Sequence, residues 1–266
     1  HPMFAGLHEV ARDGERILAA STSIDAVVGI ETNGTPGESW WPREDAVLQN
    51  HLSVEPLAID KSLDNRLLYL EGEHLRNKSH LHLNAVAEYQ GRIFVLFNAY
   101  GMVYDVTNKK IVLEDPSIFG CHNLLIQNDR IFINDTRGRR LMIYDMNGKL
   151  VKAIELLDFP EVAAIHKKCG LQLGDYLVKM ERNPFTKALL KLLKSVIGKV
   201  KGLNKGRSIA RPIFVRGLAP LSGDRVLIGF SPATIVEVDY KRNKLLSFYQ
   251  YSDNVEVCPH GLTAIE

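Results

Sequence analysis

His122-Asn123-Leu124, then Arg130-Ile131-Phe132-Ile133, then Leu141-Met142-Ile143-Tyr144-Asp145, reads as three short strands in succession. The runs are rich in β-branched and aromatic residues and are bounded by Gly, Asn and Asp, the composition of a β-meander. The same layout occurs three more times. It begins at His8-Glu9-Val10 before Arg16-Ile17-Leu18, at Asn84-Ala85-Val86 before Arg92-Ile93-Phe94, and at Arg216-Gly217-Leu218 before Arg225-Val226-Leu227. A fourth strand follows in places, as at Lys110-Ile111-Val112-Leu113 and Leu245-Leu246-Ser247-Phe248. Asp13-Gly14, Asn147-Gly148 and Ser222-Gly223 are turn pairs, where Gly and Asn accept a positive φ at low cost.

Four-stranded units recurring at roughly 40–50 residues are the signature of propeller blades. One such sheet cannot bury both its faces, so neighbours pack side by side about an axis. The expectation is an all-β β-propeller of five or six blades, forming a single domain over residues 1–266. A weak unit at Leu171–Val178 and an isolated strand at Leu67–Leu70 leave the count open, and His260-Gly261-Leu262 repeats the opening strand of a unit.

One segment departs from the β pattern. Phe185, Leu189, Leu192, Leu193, Val196, Ile197 and Val200 recur at helical spacing, with Lys187, Lys191 and Lys194 on the opposite face. The spacing predicts an inserted basic amphipathic helix within 183–212. Residues 187–211 carry eight basic side chains and no acid, so the rest of a chain of net charge +2 is acidic. An anionic membrane surface is the partner such a helix would meet. Nucleic acid is not expected, because no aromatic side chains interleave the charges to stack bases.

Composition narrows the function classes. The chain has 266 residues, 45% hydrophobic and 24% charged, which excludes disorder and collagen. It has no apolar run long enough to cross a bilayer as a helix. Three cysteines, Cys121, Cys169 and Cys258, make no disulfide framework. With no signal-peptide pattern read at its start, a cytoplasmic protein is expected, with peripheral membrane attachment through the basic helix. The chain lacks a GxSxG elbow, a Walker loop, HExxH and a dinucleotide fingerprint.

Aligning the units on the arginine that opens each second strand superposes His8, Asn84 and His122, and Arg216 after one extra turn residue. His260 joins through the shared His/Arg-x-Leu pattern, and His82 lies just before Asn84. Neutral imidazoles gathered at one depth suit a transition metal. His8, His82, His122 and His260 are therefore candidate ligands of a divalent metal ion. Glu9 and Arg216 are the candidate catalytic residues, and Arg216 suits a carboxylate or phosphate. Glu9 and Asn123 are alternative ligands for a hard cation. The leading expectation is a metal-binding enzyme acting on a small sugar-like or anionic molecule. The alternative is a non-catalytic binding scaffold.

Cys121-His122-Asn123-Leu124, Asn134-Asp135-Thr136-Arg137-Gly138 and Tyr144–Lys149 resemble an uncharacterised bacterial β-propeller family whose blades open with His-Asn or His-Ser pairs. His82-Leu83-Asn84-Ala85 and Arg216-Gly217-Leu218-Ala219 are similar to its motifs too. That resemblance implies the propeller fold and no particular activity. A more distant similarity to regucalcin and gluconolactonase propellers implies a divalent ion held by a first-blade Glu and by Asn or Asp from others. Glu9, Asn84 and Asn123 match those parts.

Overall fold

A computed structural model describes residues 1–66, 80–118, 120–169 and 213–264. The weak unit at 171–178, the strand at 67–70 and the basic helix at 183–212 with Lys187, Lys191 and Lys194 lie outside the described residues. Within them the chain is all-β apart from short helices such as Ala46–Leu52 and Pro160–Lys168. None of these helices is long and apolar enough to cross a membrane.

The strands form four antiparallel sheets. The first contains β1 (Leu7–Asp13), β2 (Arg16–Ser21) and β3 (Ala26–Glu31). The second contains β4 (Leu83–Tyr89), β5 (Arg92–Phe97), β6 (Met102–Asp105) and β7 (Lys110–Glu114). The third contains β8 (His122–Gln127), β9 (Arg130–Asp135), β10 (Arg140–Asp145) and β11 (Leu150–Glu155). The fourth contains β12 (Val215–Pro220), β13 (Arg225–Phe230), β14 (Thr234–Asp239) and β15 (Lys244–Gln250). Strand order follows chain order in each, the up-and-down meander of a propeller blade.

The described residues thus hold four blades, where the sequence leads one to expect five or six. The first is three-stranded. Its fourth place is occupied by an irregular run that touches β3 through single bridges, Val27 to Trp40 and Ile30 to Pro36. Pro36 and Pro42 flank this run, and proline cannot donate to a ladder.

The chain divides into two compact units. One comprises residues 1–135 with 142–153, the other 136–141 with 154–266. In the first unit, Leu18, Ala20 and Val27 pack with Leu83, Val86, Val95, Phe97 and Tyr104. Phe94, Leu96 and Val103 pack with Leu124, Ile131, Ile133 and Tyr144. Alternate positions of successive sheets therefore interdigitate, as strand periodicity requires. The first strands lie in a row, β1 against β4 and β4 against β8.

The arginines used for alignment open their second strands as read. Arg92 pairs with Asp105, and Arg225 Nη1 lies 2.7 Å from Glu237 Oε1. Gly148 needs to be glycine. Its φ is +78°, and a Cβ there would overlap the Val112 carbonyl oxygen.

A side-chain link recurs where three of the four second strands end. Thr22 Oγ1 donates to the Leu83 carbonyl at 2.6 Å. Asn98 Nδ2 donates to the Cys121 carbonyl at 2.7 Å, and Thr136 Oγ1 to the Val215 carbonyl at 2.7 Å. Each donor stands at the corner of one sheet, and each acceptor belongs to the start of the next. The residues directly after the three acceptors are Asn84, His122 and Arg216, three of the four that the alignment superposed, His8 being the other.

Candidate functional site

Every first strand is irregular where it carries its polar residues. The register shifts between Leu7 and Val10, Leu83 and Ala85, His122 and Leu124, and Val215 and Gly217. The residues left out of the ladder are His8 with Glu9, Asn84, Asn123 and Arg216. A bulge bends its strand and re-aims the side chain it carries, and bulges gather beside functional sites. One sequence assignment shifts by a residue here. His122 keeps its ladder partner Asn134, and Asn123, with φ +58°, occupies the bulge instead. Asn tolerates that left-handed backbone better than His does.

In the first unit these bulges bring a polar cluster together. The Glu9 carboxylate accepts from Asn123 Nδ2 and from the Leu124 backbone N–H, both at 3.2 Å. Asn123 Oδ1 in turn accepts from Asn134 Nδ2 at 2.9 Å. Both amide groups of Asn123 are therefore engaged. Desolvation pushes the Glu9 carboxyl up to about 7, against the lowering effect of those two hydrogen bonds. Glu9 is only partly accessible to solvent, in keeping with that direction.

His8 lies beside it. The His8 ring stands 5.7 Å from the His82 ring and 6.0 Å from the His122 ring, centroid to centroid. His80 stands 5.4 Å from His82. His8 Nδ1 is 2.7 Å from Thr22 Oγ1 and 3.1 Å from the Gly6 carbonyl. The single Thr22 hydroxyl proton goes to Leu83 O, so His8 Nδ1 is the donor in this network. In the neutral ring that leaves the lone pair on Nε2.

Behind the histidines sits Asp25, buried and at φ +47°. Its carboxylate accepts from the Leu81 N–H at 2.9 Å and the Leu83 N–H at 3.3 Å. His80 Nε2 lies 3.4 Å from Asp25 Oδ1 and 2.8 Å from the Thr22 carbonyl. Burial raises the Asp25 carboxyl, while His80, the two N–H groups and Arg43 oppose the rise. This carboxylate anchors the segment that carries His80 and His82. Sequence reasoning missed both Asp25 and Thr22. The signal was present as a polar residue following each second strand: Thr22, Asn98, Thr136 and Ser231.

The second unit holds Arg216, His166 and His260. Arg216 Nη1 donates to His260 Nε2 at 2.7 Å, and the guanidinium lies 4.7 Å above the Phe214 ring. A guanidinium only donates, so His260 accepts through the lone pair that a metal would need. The segment around His260 rests on a pair of glycines. A Cβ on Gly217 would come within 2.9 Å of Leu262, and one on Gly229 within 2.9 Å of Pro259. Cys258 Sγ lies 3.1 Å from the Phe214 carbonyl, and desolvation pushes this thiol up to about 11. His166 lies on the helix Pro160–Lys168, away from any strand start. Among the described residues, no three His, Cys, Asp or Glu side chains are arranged to hold a metal ion.

No protein-family profile matches the chain, and neither does any curated protein sequence. The bacterial-family and regucalcin resemblances therefore gain no support beyond the fold. Among solved structures the chain is similar to virginiamycin B lyase from Staphylococcus aureus, with TM-score 0.50 and 10% identity over 98% of this chain and 60% of that one. A streptogramin B lyase structure gives TM-score 0.49 and 9% identity over 97% and 59%. The WD40 beta propeller domain of Doa1 gives 0.43 and 10% over 92% and 55%. The chain thus spans 60% or less of the length of these solved chains. What it shares with virginiamycin B lyase at this identity is the fold alone, and the four meander sheets together with that likeness make it an all-β β-propeller protein.

Proposed function

We propose that the first unit carries a general acid–base site, built on Glu9 with His8 and His122, that acts on a small polar substrate. The observation that carries this reading is the Glu9 carboxyl. It is held in one orientation by Asn123 and Leu124 and raised to about 7, beside a histidine whose Nδ1 is tied to Thr22. A carboxyl with that pKa exchanges its proton readily at neutral pH, which general acid–base catalysis requires. Hydrolysis, elimination and isomerisation all suit such a pair. That a structurally similar protein is named a lyase fits proton abstraction, but only the fold is shared with it.

The test is a screen of the tag-free protein against lactones and β-substituted carboxylates, followed by pH–rate profiles. Turnover with a limb near pH 7 that disappears in Glu9→Gln is expected. Turnover that is indifferent to Glu9→Gln, or none with any member of the screen, overturns the reading.

A second reading keeps the divalent ion, on His8, His82 and His122. The His8 ring stands 5.7 and 6.0 Å from the other two, and the three would have to close further to share an ion, since among the described residues no three such side chains are arranged to hold one. In that case Nε2 of His8, the nitrogen opposite the Thr22 bond, is the one to bind it. Elemental analysis of the tag-free protein, with His8→Ala as control, separates the two readings. Arg216 would hold a carboxylate or phosphate in the second unit. The scaffold and membrane readings rest on residues 183–212 and are tested by sedimentation with anionic vesicles.

A further inference from the structure

Asn84 and Asn123 occupy the bulges of two neighbouring first strands, yet their amides are used differently. Asn123 is engaged at both ends, through Nδ2 to Glu9 and through Oδ1 from Asn134. Asn84 is engaged at one end only. Its Nδ2 donates to the Cys121 carbonyl at 2.9 Å. Its Oδ1 is buried and has no hydrogen-bond partner among the described residues. The side chain is 2% exposed.

The amide is locked in this sense. Turning it over would set Oδ1 against the Cys121 carbonyl oxygen, which already accepts from Asn98 Nδ2 at 2.7 Å as well. Two acceptors would then face each other. The tether to Cys121 therefore also fixes which atom is left over, and that atom is an acceptor. A buried acceptor without a donor is unfavourable, and native proteins retain few of them. Cys121 already has Asn98, so the backbone there does not depend on Asn84.

Chain position links Asn84 to the acid–base cluster. Leu83, just before Asn84, accepts from Thr22, which binds His8. Cys121, the tether, directly precedes His122. Asn84 thus lies between the two histidines' supports, on the strand that packs against both β1 and β8.

We propose that Asn84 Oδ1 is a recognition group, which accepts a hydrogen bond from a hydroxyl or N–H of the substrate bound at the Glu9 site. This rests on the acid–base reading of that site and narrows its substrate class to molecules carrying a donor, of which polyols and sugars are the simplest. Glu9 handles the proton, and Asn84 reads the neighbouring donor.

The probes are erythritol and its tetra-O-methyl ether, which differ in their donors. Binding is followed by ligand-observed NMR at pH 8, with thermal melting recorded alongside. Erythritol should bind the wild-type chain and the ether should not. Asn84→Leu should weaken erythritol binding at least tenfold while leaving Tm unchanged or higher, since it removes the orphaned acceptor. Asn84→Ser, which keeps a small donor for Cys121, serves if the leucine variant does not fold, and should weaken binding likewise. Equal binding of the two probes, no erythritol binding, or a lower Tm with binding intact overturns the proposal. Erythritol binding is scored on wild type and Asn84→Leu, and turnover on Glu9→Gln. Loss of the pH 7 limb thus tests the acid–base reading separately from polyol recognition.

Discussion

Asn123 reaches from the start of the third sheet to Glu9 in the first, its Nδ2 donating at 3.2 Å to a carboxylate 114 residues earlier in the chain. That bond joins two bulges, each of which has left its own ladder. It also favours the charged form of Glu9, so the raised pKa reflects burial winning over hydrogen bonding.

The first prediction concerns pH. The folded chain holds the Glu9 proton up to about pH 7, the unfolded chain only to its ordinary value near 4.5. Between those values the native state binds more protons, so Glu9 makes stability fall as pH rises. Glu9→Gln removes the effect. Relative to wild type it should gain about 1–3 kcal/mol between pH 4.5 and pH 8. Urea unfolding of both proteins at the two pH values measures this, and an unchanged difference contradicts it.

The Asp25 anchor gives a second. Asp25→Ala leaves the buried N–H groups of Leu81 and Leu83 without their acceptor and His80 without its neighbour. The loss should be about 2–4 kcal/mol. Asp25→Asn retains an acceptor and should lose less. Urea titration of the pair orders them, and equal stability would argue that the segment before β4 is held by packing alone.

A third follows from Thr22. Thr22→Val keeps the shape and removes both the donor to Leu83 and the acceptor for His8. About 1–2 kcal/mol should be lost. The His8 ring resonances should also shift, because the bond that selects its tautomer is gone. Nitrogen-15 spectra of the imidazoles report this directly, and an unperturbed His8 would show that Gly6 suffices.

The fourth concerns the glycine pair in the second unit. Gly229→Val places carbon atoms where Pro259 now lies, 2.9 Å from the ideal Cβ site. The segment Cys258–Leu262 should lift away. Cys258, whose thiol is pushed up to about 11, should react slowly with a disulfide reagent at pH 8 in wild type. In Gly229→Val it should react several-fold faster. Equal rates would mean that the tail tolerates the intrusion.

The blades were legible because strand alternation and the opening arginines repeat, and both are local properties. The number of blades was less so, since the weak unit and the isolated strand fall in segments outside the described residues. Residue alignment grouped His8, Asn84, His122 and Arg216, and the residues just before Asn84, His122 and Arg216 each accept one of the recurring side-chain links. It did not reveal that Asn123 would take the bulge in place of His122. Register depends on how two strands pair, and a single strand's residues do not contain it. Glu9 was visible as a carboxylate beside a histidine. Its partner Asn123 and the anchor Asp25 act across long sequence separations, where periodicity carries no information.

The recurring links from Thr22, Asn98 and Thr136 all end on a main-chain carbonyl, a group every amino acid possesses. The seam from sheet to sheet is therefore blind to side-chain identity at Leu83, Cys121 and Val215. The residues that follow them, Asn84, His122 and Arg216, differ in charge and size. Such a seam separates durability from chemistry. The framework can stay constant while the neighbouring position is rewritten.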